Sequence, residues 1–273
     1  MSRDYPAELA ATARTVGADA ARELKEGRAA FAVPLQHLIN INVFLRYLVE
    51  RQIPAVAPRG VRTLYAKLAD LTSGICVLLA EGYPGPAASV FRSLLETAVH
   101  LQLVLAADIE GRAKLFEDFI LLQRSKVGPD SGVAPELLAE NANALATVRA
   151  NYHPTHPYSW CWKLVPSQRS RNGIPDNPRL REVCVAINRA RYYDDLYGHL
   201  SSAVHPTPAY ELWIRGREGE LQLNPKFSTH TSMTANLSTL LVVETVLPLL
   251  SAFKPDDHED LCRFIGTLLP PAG

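Results

Sequence analysis

Apolar residues recur three and four positions apart through most of this chain, and proline or glycine interrupts the pattern every few helical turns. Such spacing puts one apolar face on an α-helix, so the fold expected is all-α. A first helix follows Asp4 and Pro6, an acidic cap and a first-turn proline, and runs to about Ala30. A second, PLQHLININVFLRYLVERQI, starts at Pro34 and stops before Pro54. A third covers 58–81 and is closed by Gly82, and a fourth follows the YPGP turn over 86–107. The fifth, GRAKLFEDFILLQRSKV, ends at Gly128 and Pro129, and a sixth starts at Pro135.

The periodicity lapses over 152–178, where five prolines, two tryptophans and two tyrosines accumulate. An irregular stretch of that length usually carries function or hides an unread element. Two short helices are expected next, over 179–188 and 191–205. YELWIRGREGELQL alternates around a glycine-containing turn and predicts a β-hairpin of 210–215 with 220–223. A long helix from about Thr231 and a short one after Pro255 complete a single domain over 1–273. Its core bundle is expected over about 58–254, with the helices of 5–53 packed on it and a short C-terminal helix at 256–268.

With 47% hydrophobic residues among 273, the chain can bury a large core. Its 28 basic and 28 acidic residues balance, which excludes a wholly basic nucleic-acid coat protein; DNA is not expected as a partner. Cys76, Cys161, Cys184 and Cys262 form no C-x-x-C pair, so neither a disulfide framework nor a thiolate zinc site is expected. The charged N-terminal residues hold no apolar signal core. The apolar segment 237–253 includes Glu244 and Pro248 and falls short of the roughly 20 residues that span a bilayer. A cytoplasmic protein with no membrane contact is therefore expected.

Two helices carry narrow polar stripes. On the one over 86–107, Ser89, Arg92, Ser93, Glu96, Thr97 and His100 fall in one sector of about 140°. Arg92 and Glu96 are its only long charged pair, and so apolar a helix should sit centrally, where an unpaired charge is costly. The alternative is a solvated face with an ordinary i,i+4 pair. On the helix ending at Pro206, Asp194, Tyr197, Gly198, Ser201 and His205 share a face, while Arg191, Asp195, His199 and Ser202 point elsewhere. Ser201 and His205 stand at the i,i+4 spacing of a nucleophile and its base. They equally suit a helix terminus with a capping histidine. No G-x-S-x-G elbow and no H-E-x-x-H occur, so neither a serine hydrolase nor a metal site is expected. Nor is a cofactor.

AASVFRSLLETAVHLQLVL, LFEDFILLQRSK and YYDDLYGHLSSAVHPT together resemble a bacterial helical family known as domain of unknown function 5677. The shared pattern is R-x-x-x-E on one helix and an aromatic-led helix ending S-x-x-x-H-P, here Arg92 and Glu96, then Tyr197, Ser201 and His205. The second motif is similar in turn to HEPN helical bundles, many of them ribonucleases of toxin and antiphage systems. That resemblance implies a HEPN-like bundle with flanking helices. The HEPN arginine, separated from the histidine by four to six intervening residues, is replaced here by Gly198, His199 and Leu200.

Two functions follow as expectations. One is a non-catalytic sensor or scaffold binding a small ligand or a protein. The other is an RNA-binding protein or metal-independent ribonuclease of a defence or toxin system. There His205, Arg92 and Glu96 would be catalytic, and Tyr197, Ser201, His100 and Asp194 would bind the ligand. Seven basic residues from Lys163 to Arg191, with Trp160, Trp162, Tyr152 and Tyr158 nearby, suit RNA or a small anionic ligand as partner. The alternative is a solvated basic loop with its aromatics in the core. A second copy of the chain is a further candidate partner.

Overall fold

The computed structural model describes residues 21–22, 24–50, 56–124, 156, 158–165, 170–171, 174–175, 177–197, 213–215, 221–223 and 229–268. That part is mostly helical. Residues 24–30 are helical up to a turn at Phe31, and α1 (Ala32–Glu50), α2 (Arg59–Ala80), α3 (Pro84–Leu105) and α4 (Ile109–Arg124) follow. After the stretch around 160 come α5 (Leu180–Ala186), a π-helix (Tyr192–Tyr197), α6 (Thr229–Phe253) and α7 (His258–Thr267).

Proline and glycine mark these boundaries to within about two residues of the expected positions, α3 opening at Pro84 inside the YPGP read as a turn before Pro86. Pro84 opens α3, where its missing N–H costs nothing. Gly82, at φ 75°, closes α2: its N–H bonds to the Leu79 carbonyl and that of Tyr83 to Leu78, the Schellman arrangement. α3 is the central helix, packed chiefly on α2 and α6, with α1 against α6 and α2. Leu94, Leu95, Ala98 and Leu101 of α3 are fully buried with Leu68 and Ile75 of α2 and Leu249 and Leu250 of α6. The buried Tyr65 hydroxyl donates to the Leu45 carbonyl, tying α2 to α1 at 2.5 Å.

Several expectations need correction. The stretch around 160 is not featureless: Ser159–Cys161 forms a 3₁₀ turn, and Ser170–Arg171 (β1) pairs antiparallel with Ile174–Pro175 (β2). Within the stretches expected to pair, 210–215 and 220–223, Trp213–Arg215 (β3) lies antiparallel to Leu221–Leu223 (β4), Trp213 opposite Leu223, and needs no such correction. The long helix expected from about Thr231 is α6, but its apolar stretch is longer than the 237–253 read as too short to span a bilayer. α6 begins at Thr229, because hydroxyl and amide residues continue the helix N-terminally. Both Arg59–Ala80 and Thr231–Phe253 are thus long and apolar enough to cross a membrane, although each packs into the bundle. The helix expected from Pro135 and most of the first one lie outside the described residues.

Candidate functional site

Arg92 and Glu96 stand one turn apart on α3, with the Arg92 Nε 3.5 Å from a Glu96 carboxylate oxygen. Their side chains are 26% and 34% exposed, between the buried and solvated alternatives. The stripe is graded around the helix: Ser93 is exposed, whereas Thr97 is buried and returns its hydroxyl to the Ser93 carbonyl.

Tyr197, the last described residue of the π-helix, closes the arrangement. Arg92 donates to its hydroxyl at 2.5 Å, and that hydroxyl donates to Glu96 at 3.1 Å. The guanidinium carbon also lies 4.7 Å from the centre of the Tyr197 ring, a cation–π contact. Each group thereby contacts the other two. Burial works against the Arg92 charge, but Tyr197 and Glu96 outweigh it and raise the guanidinium pKa. Burial raises the Tyr197 phenol, and Glu96 pushes the same way against Arg92.

Asp194 does not join this cluster. It forms a bidentate pair with Arg181, at 2.7 and 3.1 Å, on the exposed side of the segment. The hydrogen bond from Arg181 lowers its pKa. The shared face of Asp194 and Tyr197 rested on α-helical winding. A π-helix closes i→i+5 bonds and turns through a smaller angle per residue, so residues three apart diverge. Residues four apart stack instead: the Tyr193 and Tyr197 rings lie 5.0 Å apart and 16° from parallel. Ser201 and His205, with Gly198 and His199, lie outside the described residues.

His100, one turn beyond Glu96, faces aromatics and not a polar cleft. Its ring is 5.5 Å from Tyr158, 5.6 Å from Trp160 and 6.0 Å from Phe116. Part of the residue reaches the surface, but Nε2 is buried without a hydrogen-bond partner, as is the Trp160 indole nitrogen. Burial, aided by the Lys67 charge, pushes the His100 pKa down to about 4. Its imidazole is neutral near pH 7.

The four expected stacking aromatics divide, and Tyr152 lies outside the described residues. Trp160 is fully buried and Tyr158 is 9% exposed; both belong to the core. Trp162 remains exposed, beneath Lys163 at 5.4 Å. Of the basic run, Arg181 is held by Asp194, while Arg189 stands 3.7 Å from Glu244 without a hydrogen bond from its Nε. Tyr192 and Glu244 were missed: the Tyr192 hydroxyl donates to Glu244 on α6, holding the other end of the π-helix. The signal was present, since Glu244 is the lone charge in the apolar run 237–253.

A model of a family of unknown function (DUF5677) matches residues 59–219, more than half of the chain. The match runs from the first residue of α2 past the π-helix and so includes Arg92, Glu96, His100 and Tyr197, but not α1, α6 or α7. No curated protein and no solved structure matches the chain.

Proposed function

We propose, from the premise that this chain belongs to the DUF5677 family, that it is a non-catalytic helical sensor or scaffold that binds a small ligand or a protein partner. The engagement of Arg92, Glu96 and Tyr197 with one another supports this reading. A catalytic cation is normally directed at developing charge on the substrate. This one is occupied by its own neighbours, and the stripe's histidine is neutral and enclosed by aromatics. The network therefore works as a latch, docking the π-helix onto α3. In this reading the protein is cytoplasmic, in keeping with four free cysteines.

One observation favours the second reading, a HEPN-like bundle that binds or cleaves RNA. Arg92 contacts Tyr197, four residues before Ser201 in sequence, and is the candidate cation for a pattern that lacks the HEPN arginine. Purified wild type and His205→Ala, incubated with single-stranded RNA without metal, separate the two readings. The sensor reading expects no cleavage by either. Cleavage by wild type that His205→Ala abolishes, with its melting temperature unchanged, would establish the ribonuclease instead.

A further inference from the structure

At the opposite end of α3 from Tyr83, five elements surround a cavity of about 460 Å³, within the range of small-molecule sites. Its walls come from the end of α3, the start of α4, the segment at Leu164, the turn after α5 and the middle of α6. Neither Arg92 nor Tyr197 lines it. From Arg92 to Leu105 the helix rises roughly 20 Å, so this is a separate place on the molecule.

Two guanidiniums enter the wall, those of Arg112 and Arg189. Arg112 reaches across from α4, donating from Nη1 to the Leu103 carbonyl at 2.6 Å, and among the described residues its other side-chain N–H groups have no hydrogen-bond acceptor. Arg189 is placed by backbone chemistry. α5 ends in a Schellman turn, with the Arg189 N–H on the Cys184 carbonyl at 2.7 Å and Asn188 at φ 59° in the left-handed position. The Arg189 Nε is buried and has no hydrogen-bond partner. Its nearest carboxylate, Glu244, stands 3.7 Å away and already accepts from Tyr192.

A buried guanidinium N–H without an acceptor is costly, and an oxygen anion entering the cavity would supply that acceptor. Two cations against one carboxylate leave a surplus positive charge in a half-enclosed space, where charge is weakly screened. Asn188 and Gln102 add amide groups, while Leu164 and Ile187 supply an apolar wall.

We infer that this cavity binds a small organic anion, its carboxylate or phosphate held by Arg189 and Arg112 and its apolar body laid against Leu164 and Ile187. Isothermal titration and thermal-shift measurements with benzoate, phenyl phosphate, benzamide and inorganic phosphate test it on the intact chain. Benzoate and phenyl phosphate should bind and raise the melting temperature, whereas benzamide, nearly the same shape without charge, should not. Arg189→Gln should weaken binding at least about tenfold, as loss of a charge-assisted pair implies. Ala106→Trp fills the exposed rim without touching the ionic groups and should block binding in a normally folded protein. Equal affinity for benzamide and benzoate, inorganic phosphate bound as tightly as phenyl phosphate, or unchanged binding in either variant would overturn the assignment. So would no binding at about 10 mM of either aryl anion.

Discussion

Tyr197 accepts from Arg92 and donates to Glu96, so its single hydroxyl joins two charged groups of another helix. Replacing it with phenylalanine keeps the ring over Arg92 and removes only those bonds. Tyr197→Phe should cost about 1–2 kcal/mol in denaturant unfolding. Glu96→Ala should cost about 1–3 kcal/mol, because the Arg92 guanidinium that loses its anion is only partly desolvated. The double variant should cost less than the sum, since both changes remove parts of one network. A Glu96→Ala protein within about 0.5 kcal/mol of wild type would make the pair an ordinary surface contact.

Helix α2 shows what separates two glycines within one element. The Gly60 N–H donates to Glu117 on α4 at 2.7 Å, and a Cβ built there would stand 2.6 Å from the Ala113 carbonyl oxygen. That oxygen belongs to the α4 backbone and cannot move aside without shifting the helix. Gly74 faces nothing closer than the Val90 Cγ1 at 3.9 Å. Gly74→Ala should therefore stabilise by up to about 1 kcal/mol through helix propensity. Gly60→Ala should destabilise by about 1–3 kcal/mol through overpacking. Thermal melts of the two single variants, moving in opposite directions, check this; stabilisation of both would deny the close α2–α4 approach. Within the π-helix the element scale also decides chemistry, since one end is held by Glu244 and the other by Arg92.

For the molecule as a whole, His100 adds a pH dependence. Its folded pKa lies near 4 against the ordinary 6.5, so the unfolded chain binds the proton first as pH falls. Stability from the neutral, buried ring is complete above about pH 6.5 and is lost between there and about pH 4. The loss should be on the order of 3 kcal/mol. Glu96 on the same stripe, Lys67 and the Tyr158 phenol share its surroundings, so a control is needed. His100→Leu should flatten the stability profile over that window relative to wild type. Parallel profiles would mean that the ring protonates as freely in the folded protein as in the unfolded chain.

The sequence by itself determined the helices and most of their ends. Apolar spacing and proline or glycine punctuation are local properties, and the backbone obeys them locally, as at Pro84 and Gly82. It likewise marked Arg92 and Glu96, because a short polar stripe on an apolar helix can be read from one segment. Tertiary structure alone decided the partners. Tyr197 meets Arg92 across more than a hundred residues, Asp194 is drawn to Arg181, and Trp160 turns inward against His100 and Phe116. The π-winding of Tyr192–Tyr197 and the cavity beside Arg189 arise where the ends of several elements meet. No periodicity in one segment records how another packs against it, and there the physical choice was made.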